Sequence, residues 1–138
     1  MERATPALKA KALRAAAGTR PLWLPVTGSS MATTVLSGDE VLIEQASRPR
    51  IAEVWAYVGS SGEIVVHRYV WNRGGGALLI GDATDVADDL VPLDQLVGRV
   101  ASRRSATTES HVGRLSGLFP VARWSWSAAV RRVRRHFH

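Results

Sequence analysis

From Pro21 to Ser102 the chain is built of short apolar runs rich in β-branched and aromatic residues, each ending at glycine, proline, asparagine, aspartate or serine. The runs are LWLPV, DEVLIEQ, AEVWAYV, EIVVHRYVW, ALLIGD and LVGRVAS. Apolar and polar residues roughly alternate within them, as in strands with one face toward a core. The pattern predicts a mainly β domain over 21–105, built on a coiled antiparallel sheet. GSSGE at 59–63 and NRGGGA at 72–77 supply the positive φ of tight turns and predict two hairpins. Gly74-Gly75-Gly76 lacks the lysine and the strand-to-helix context of a phosphate loop.

The two ends follow a different period. In ERATPALKAKALRAAAGTR, Leu8, Ala12 and Ala15 recur at helical spacing before Gly18, which predicts a mobile helical N-terminal arm over 1–20. In the tail, Trp126, Val130, Val133 and Phe137 form one stripe, with Arg131, Arg132, Arg134 and Arg135 mostly off it. Residues 106–138 therefore read as a linker and a basic amphipathic C-terminal helix.

Charge sharpens this division. The net charge is +6 over 138 residues. Residues 1–20 hold five Lys/Arg against one Glu, 111–138 hold six Arg and no acid, and 21–110 hold seven Arg against eleven Asp/Glu. The basic character belongs to the ends, where an anionic membrane surface is the favoured partner: each Arg near such a surface contributes about 1 kcal/mol. Nucleic acid is the less favoured partner.

Composition narrows the chemistry. There is no cysteine, so disulfides, thiolate metal sites and a cysteine nucleophile are excluded. No cofactor is implied, and without clustered histidines no metal site is expected. No apolar window approaches the ~20 residues of a spanning helix, and the N-terminus lacks the apolar run of a cleavable signal. The expected location is cytoplasmic or peripheral to a membrane.

The candidate nucleophile lies in VTGSSMATTVLSGDEVLIEQ, where Ser29 and Ser30 end a strand-like run. A helical turn over Ala32 to Leu36 would turn free backbone N–H groups toward them, as an oxyanion requires. A serine hydroxyl also needs a base. His67 lies inside a strand run, on the same side as Val65 and Tyr69, and histidine titrates near neutrality. His111, His136 and His138 fall in the polar linker and tail. Asp82, Asp85, Asp88 and Asp89, in GDATDVADD, offer a carboxylate to orient the imidazole.

These segments together resemble the type I signal peptidases. GSSMATTVLSGDEVLI is similar to their serine box, with a Ser-Met pair, a short turn, then Gly-Asp before a hydrophobic strand. EIVVHRYV, GDATDVADD and LVGRV resemble the later boxes of the archaeal and endoplasmic-reticulum branch, which uses histidine where the bacterial branch uses lysine. The likeness spans about residues 21 to 101. It departs from the family at Thr33, where proline is usual, and in having no apolar anchor before the serine box.

The resemblance implies a serine endopeptidase of coiled-sheet fold, with a short helix after the nucleophile, that cuts a precursor protein or peptide after small residues. It makes Ser30 the nucleophile, His67 the general base and Asp89 the aspartate partner, with Asp88 able to take that place and Asp82 a supporting acid. The backbone at Ser30 would form the oxyanion hole, with Ser29 and Met31 beside it. The alternative is a repressor-type module of the same fold, catalytically silent or cutting itself at Ala17-Gly18, that docks on a partner or nucleic acid through its basic ends. Lys9 and Lys11, the only lysines, lie outside the β domain, which argues against a lysine dyad.

Overall fold

The computed structural model describes residues 5–26, 31, 35, 37–83 and 90–112. These form one curled antiparallel sheet with a helix against it. The strands are β1 (Leu22–Pro25), β2 (Glu40–Glu44), β3 (Val54–Val58), β4 (Ile64–Arg73), β5 (Gly76–Ile80), β6 (Val91–Pro92), β7 (Leu96–Arg104) and β8 (Glu109–His111). Their order is β1-β2-β7-β3-β4-β5-β6, with β8 also on β7. All six strand runs read from the sequence are strands, and 59–63 and 72–77 span the β3–β4 and β4–β5 turns.

Both faces of the centre of the sheet are covered, so every residue of β3 is buried. On one face, Val54, Ala56 and Val58 pack with Val66, Val41, Ile43 and Val100, and Met31 and Val35 join this cluster. On the other, Trp55 and Tyr57 pack with Tyr69, Leu79, Val91 and Leu96. Irregularities in register between Leu42 and Ile43, between Ala56 and Tyr57 and between Tyr69 and Trp71 break the regular ladder. Such bulges increase local twist, which suits a curled sheet. At Gly98 the backbones come so close that an added Cβ would lie 2.6 Å from the Glu44 carbonyl oxygen and 2.7 Å from Ile43 Cγ2.

The helix α1 (Pro6–Ala17) is present, with Pro6 in its first turn and the Thr5 hydroxyl accepting from the Leu8 N–H at 3.1 Å. It is not a detached arm. Ala10 is fully buried, and Leu13 and Ala17 pack on the same core. Lys9 Nζ donates to the Gly62 carbonyl at 2.6 Å, and Arg14 Nη1 to the carbonyls of Leu96 at 2.5 Å and Asp94 at 2.9 Å. The stripe expected from Leu8, Ala12 and Ala15 is thus misphased, and Leu8 is largely exposed. Small side chains at 10 and 17 allow close approach to the sheet, and that criterion outweighs residue hydrophobicity.

The sheet also runs past residue 105. β8 pairs Ser102 with His111 and Arg104 with Glu109, in what the sequence suggested was linker. The basic amphipathic helix expected farther on lies outside the described residues, as does most of the turn expected after Ser30. No helix among the described residues is long and apolar enough to cross a membrane.

Candidate active site

The segment carrying the serines springs from a fixed stem. The Val26 N–H donates to the Asp39 carbonyl at 2.9 Å, and the Gly38 N–H donates to the Val26 carbonyl at 3.0 Å. Gly38 has φ of 92°, a left-handed value that glycine adopts without strain, so the Gly-Asp pair is a backbone requirement as well as a motif. Asp39 is buried, and its carboxylate accepts from Arg103 Nη1 at 3.1 Å. Between the stem strands, Met31 and Val35 are buried in the valine core, and the Val35 N–H donates to the Met31 carbonyl at 2.7 Å. Ser29 and Ser30 lie outside the described residues.

β4 carries the next two groups on opposite faces, as period-2 alternation requires. Arg68 lies on the face of Val66 and is fully buried. Its guanidinium grips Asp82 through two parallel bonds, Nε to Oδ1 at 2.8 Å and Nη2 to Oδ2 at 2.7 Å, and Nη1 donates to the Ala52 carbonyl at 2.7 Å. Ala52 takes a φ of 74°, uncommon for a residue with a Cβ. It is held there from both sides, since its N–H also donates to the Tyr69 carbonyl at 2.9 Å. Asp82 completes the chain of contacts, because its N–H points at Met31 Sδ at 3.2 Å.

His67 occupies the other face. It is 8% exposed, its cross-strand partner is Trp55, and its ring meets the Tyr57 ring edge-on, with centroids 6.3 Å apart and planes at 68°. This wall is aromatic. Burial raises the Tyr69 hydroxyl above its usual pKa.

Three of the expected segments therefore converge. The one after Ser30 touches the Gly81-Asp82 segment through Met31, and Asp82 is clamped to the residue beside His67. Asp82 serves here as the partner of Arg68. Asp85, Asp88 and Asp89 lie outside the described residues. Met31 is 2% exposed, with its side chain in the core. Ala17-Gly18 lies at the end of α1, and the Gly18 N–H donates to the Arg14 carbonyl at 3.1 Å, so the bond is not presented as an extended substrate.

Sequence reasoning passed over Arg68, although a cation on a valine-lined face needs a buried anion and is itself a signal. It also passed over a second network. The buried Glu53 accepts from the Arg50 N–H at 2.6 Å, from Trp55 Nε1 at 3.3 Å and from Arg99 Nη1 at 3.1 Å. Hydrogen bonds to Glu44 and then Glu53 raise the pKa of Arg99. His111, for which no partner was expected, has its Nδ1 3.3 Å from Ser102 Oγ. No protein-family model matches the chain, and no curated protein matches it.

Proposed function

We propose that the chain is a serine endopeptidase of the signal-peptidase type, cutting a precursor protein or peptide after small residues. The observation that supports this reading is the meeting of the serine-box, histidine and aspartate segments through Met31, Asp82 and Arg68. Residues separated by 51 and 14 positions in sequence are in contact, and each lies in or next to a segment that the resemblance assigns to the site.

In this mechanism His67 takes the Ser30 hydroxyl proton as Ser30 Oγ attacks the scissile carbonyl. Backbone N–H groups at Ser30 hold the oxyanion of the tetrahedral intermediate. The C–N bond breaks, His67 gives its proton to the leaving amine, and an ester on Ser30 remains. Water, deprotonated by His67, then hydrolyses the ester and restores the serine. Asp89 or Asp88 orients the imidazole. Arg68 and Asp82 are positioning residues: they fix β4 and the Asp82 segment relative to the serine box. The basic tail would hold the enzyme at an anionic membrane surface where precursors arrive.

The test is cleavage of a peptide containing an Ala-x-Ala site, in detergent or lipid, with products identified by mass spectrometry, alongside labelling by a fluorophosphonate. Wild type should cut and be labelled at Ser30, whereas Ser30→Ala and His67→Ala should do neither. A folded wild type that neither cuts nor reacts, yet binds DNA in a salt-dependent way, would replace this reading with that of a silent interaction module.

A further inference from the structure

The face of the sheet that carries His67 also carries a cavity of about 560 Å³, within the size range of ligand pockets. Trp55, the cross-strand partner of His67, lines it together with Leu96, and both are buried core residues. Arg14, Ser47, Arg48, Asn72 and Asp94 supply its polar side chains. Two guanidiniums against one carboxylate give the cavity a net positive charge.

The two cations are held differently. Arg14 spends Nη1 on the carbonyls of Asp94 and Leu96, which fixes the guanidinium plane and leaves Nε and Nη2 with no partner among the described residues. Arg48 is exposed and bonds to none of the described residues. A cation already oriented beside a second one that is free to close on a ligand suits a carboxylate, which accepts on both oxygens. Asn72 is likewise exposed without a side-chain partner, and its amide offers both a donor and an acceptor to a peptide group.

We infer that this cavity binds an acidic side chain of a peptide, with an adjacent apolar residue resting against Trp55 and Leu96. That the peptide is the enzyme's substrate rests on the peptidase reading; the binding itself does not. The segment recognised would lie beyond the small residues at the cut and would add a requirement for Glu or Asp.

The experiment uses the full chain as Ser30→Ala, so that no turnover interferes. Blocked hexapeptides containing Glu-Phe or Gln-Phe are titrated while the Trp55 indole N–H is followed by NMR, its peak assigned with Trp55→Phe. The Glu peptide should bind at least tenfold more tightly than the Gln peptide and shift the Trp55 signal, and Arg48→Glu should abolish the difference. Equal binding of the two peptides, no shift at Trp55, or selectivity that survives in Arg48→Glu would overturn the assignment. So would glutarate binding as tightly as the peptide, which would make this a site for small carboxylates. Glu-selective binding by a chain that cleaves nothing would keep the cavity and remove the peptidase. Wild type that cuts the Ala-x-Ala peptide, together with equal binding of the two hexapeptides by Ser30→Ala, would do the reverse.

Discussion

The two faces of the β3–β4 ribbon treat their polar groups in opposite ways. On the Arg68 face a full charge lies buried among valines, and each guanidinium nitrogen has an oxygen within 2.8 Å. On the His67 face a titratable ring lies among aromatic side chains, next to a cavity with a net positive charge. The first arrangement fixes geometry, because a buried ion pair tolerates little displacement before its desolvation cost is uncovered. The second sets an imidazole against aromatic rings. In the proposed mechanism both are used: one side of the strand is held still, and the other carries the general base.

The largest effect should come from breaking the rigid side. Arg68→Met leaves the Asp82 carboxylate, 5% exposed, without its main partner and should cost about 3–5 kcal/mol in urea denaturation. Adding Asp82→Asn should recover part of that loss. A single-variant cost below about 1 kcal/mol would mean that the pair is not the anchor described here.

His67→Gln tests the imidazole side. It should destabilise the fold less than Arg68→Met and, under the proposed peptidase mechanism, lower peptide cleavage by about 10²–10⁴-fold. Equal losses of stability in the two variants would erase the distinction between the faces.

Glu53→Gln should have a smaller effect, on the order of 1 kcal/mol in thermal or urea unfolding. The amide oxygen can still accept from Arg50 and Trp55, and Arg99 is 39% exposed, so water can solvate the charge left behind.

The smallest effect concerns pH. Burial raises the Tyr69 pKa in the folded state, so the unfolded chain loses that proton first as pH rises above about 10. The contribution of Tyr69 to stability is complete below that pH and disappears as pH climbs through the folded value. Tyr69→Phe should therefore flatten the alkaline limb of a plot of stability against pH and leave the neutral region's slope unchanged.

Legibility in the sequence followed the range of the interactions. The six longer strands could be read because β-branched residues in alternation favour extended backbone locally. β6 and β8, of two and three residues, carry no such signal and are strands only because β5 and β7 offer them a partner edge. In α1 the helix was legible from the alanine-rich run before Gly18, but its buried face was not, because a sheet selects for small side chains that a hydropathy stripe undervalues. His67, Asp82 and Met31 were legible as candidates through residue type and spacing. The grip of Arg68 on Asp82 and the contact of Asp82 with Met31 were not.

By itself, the sequence determined the strand runs, the turns, the all-oxygen and nitrogen chemistry of a cysteine-free chain, and the separation of charge into basic ends and an acidic middle. These follow from one residue or from neighbours a few positions apart. The tertiary structure alone decided that α1 packs on the sheet, that His67 and Arg68 face opposite walls, and that a charged cavity opens beside Trp55. Each of these depends on which distant segment supplies the opposing surface, and burial, unlike backbone preference, is set by both surfaces together.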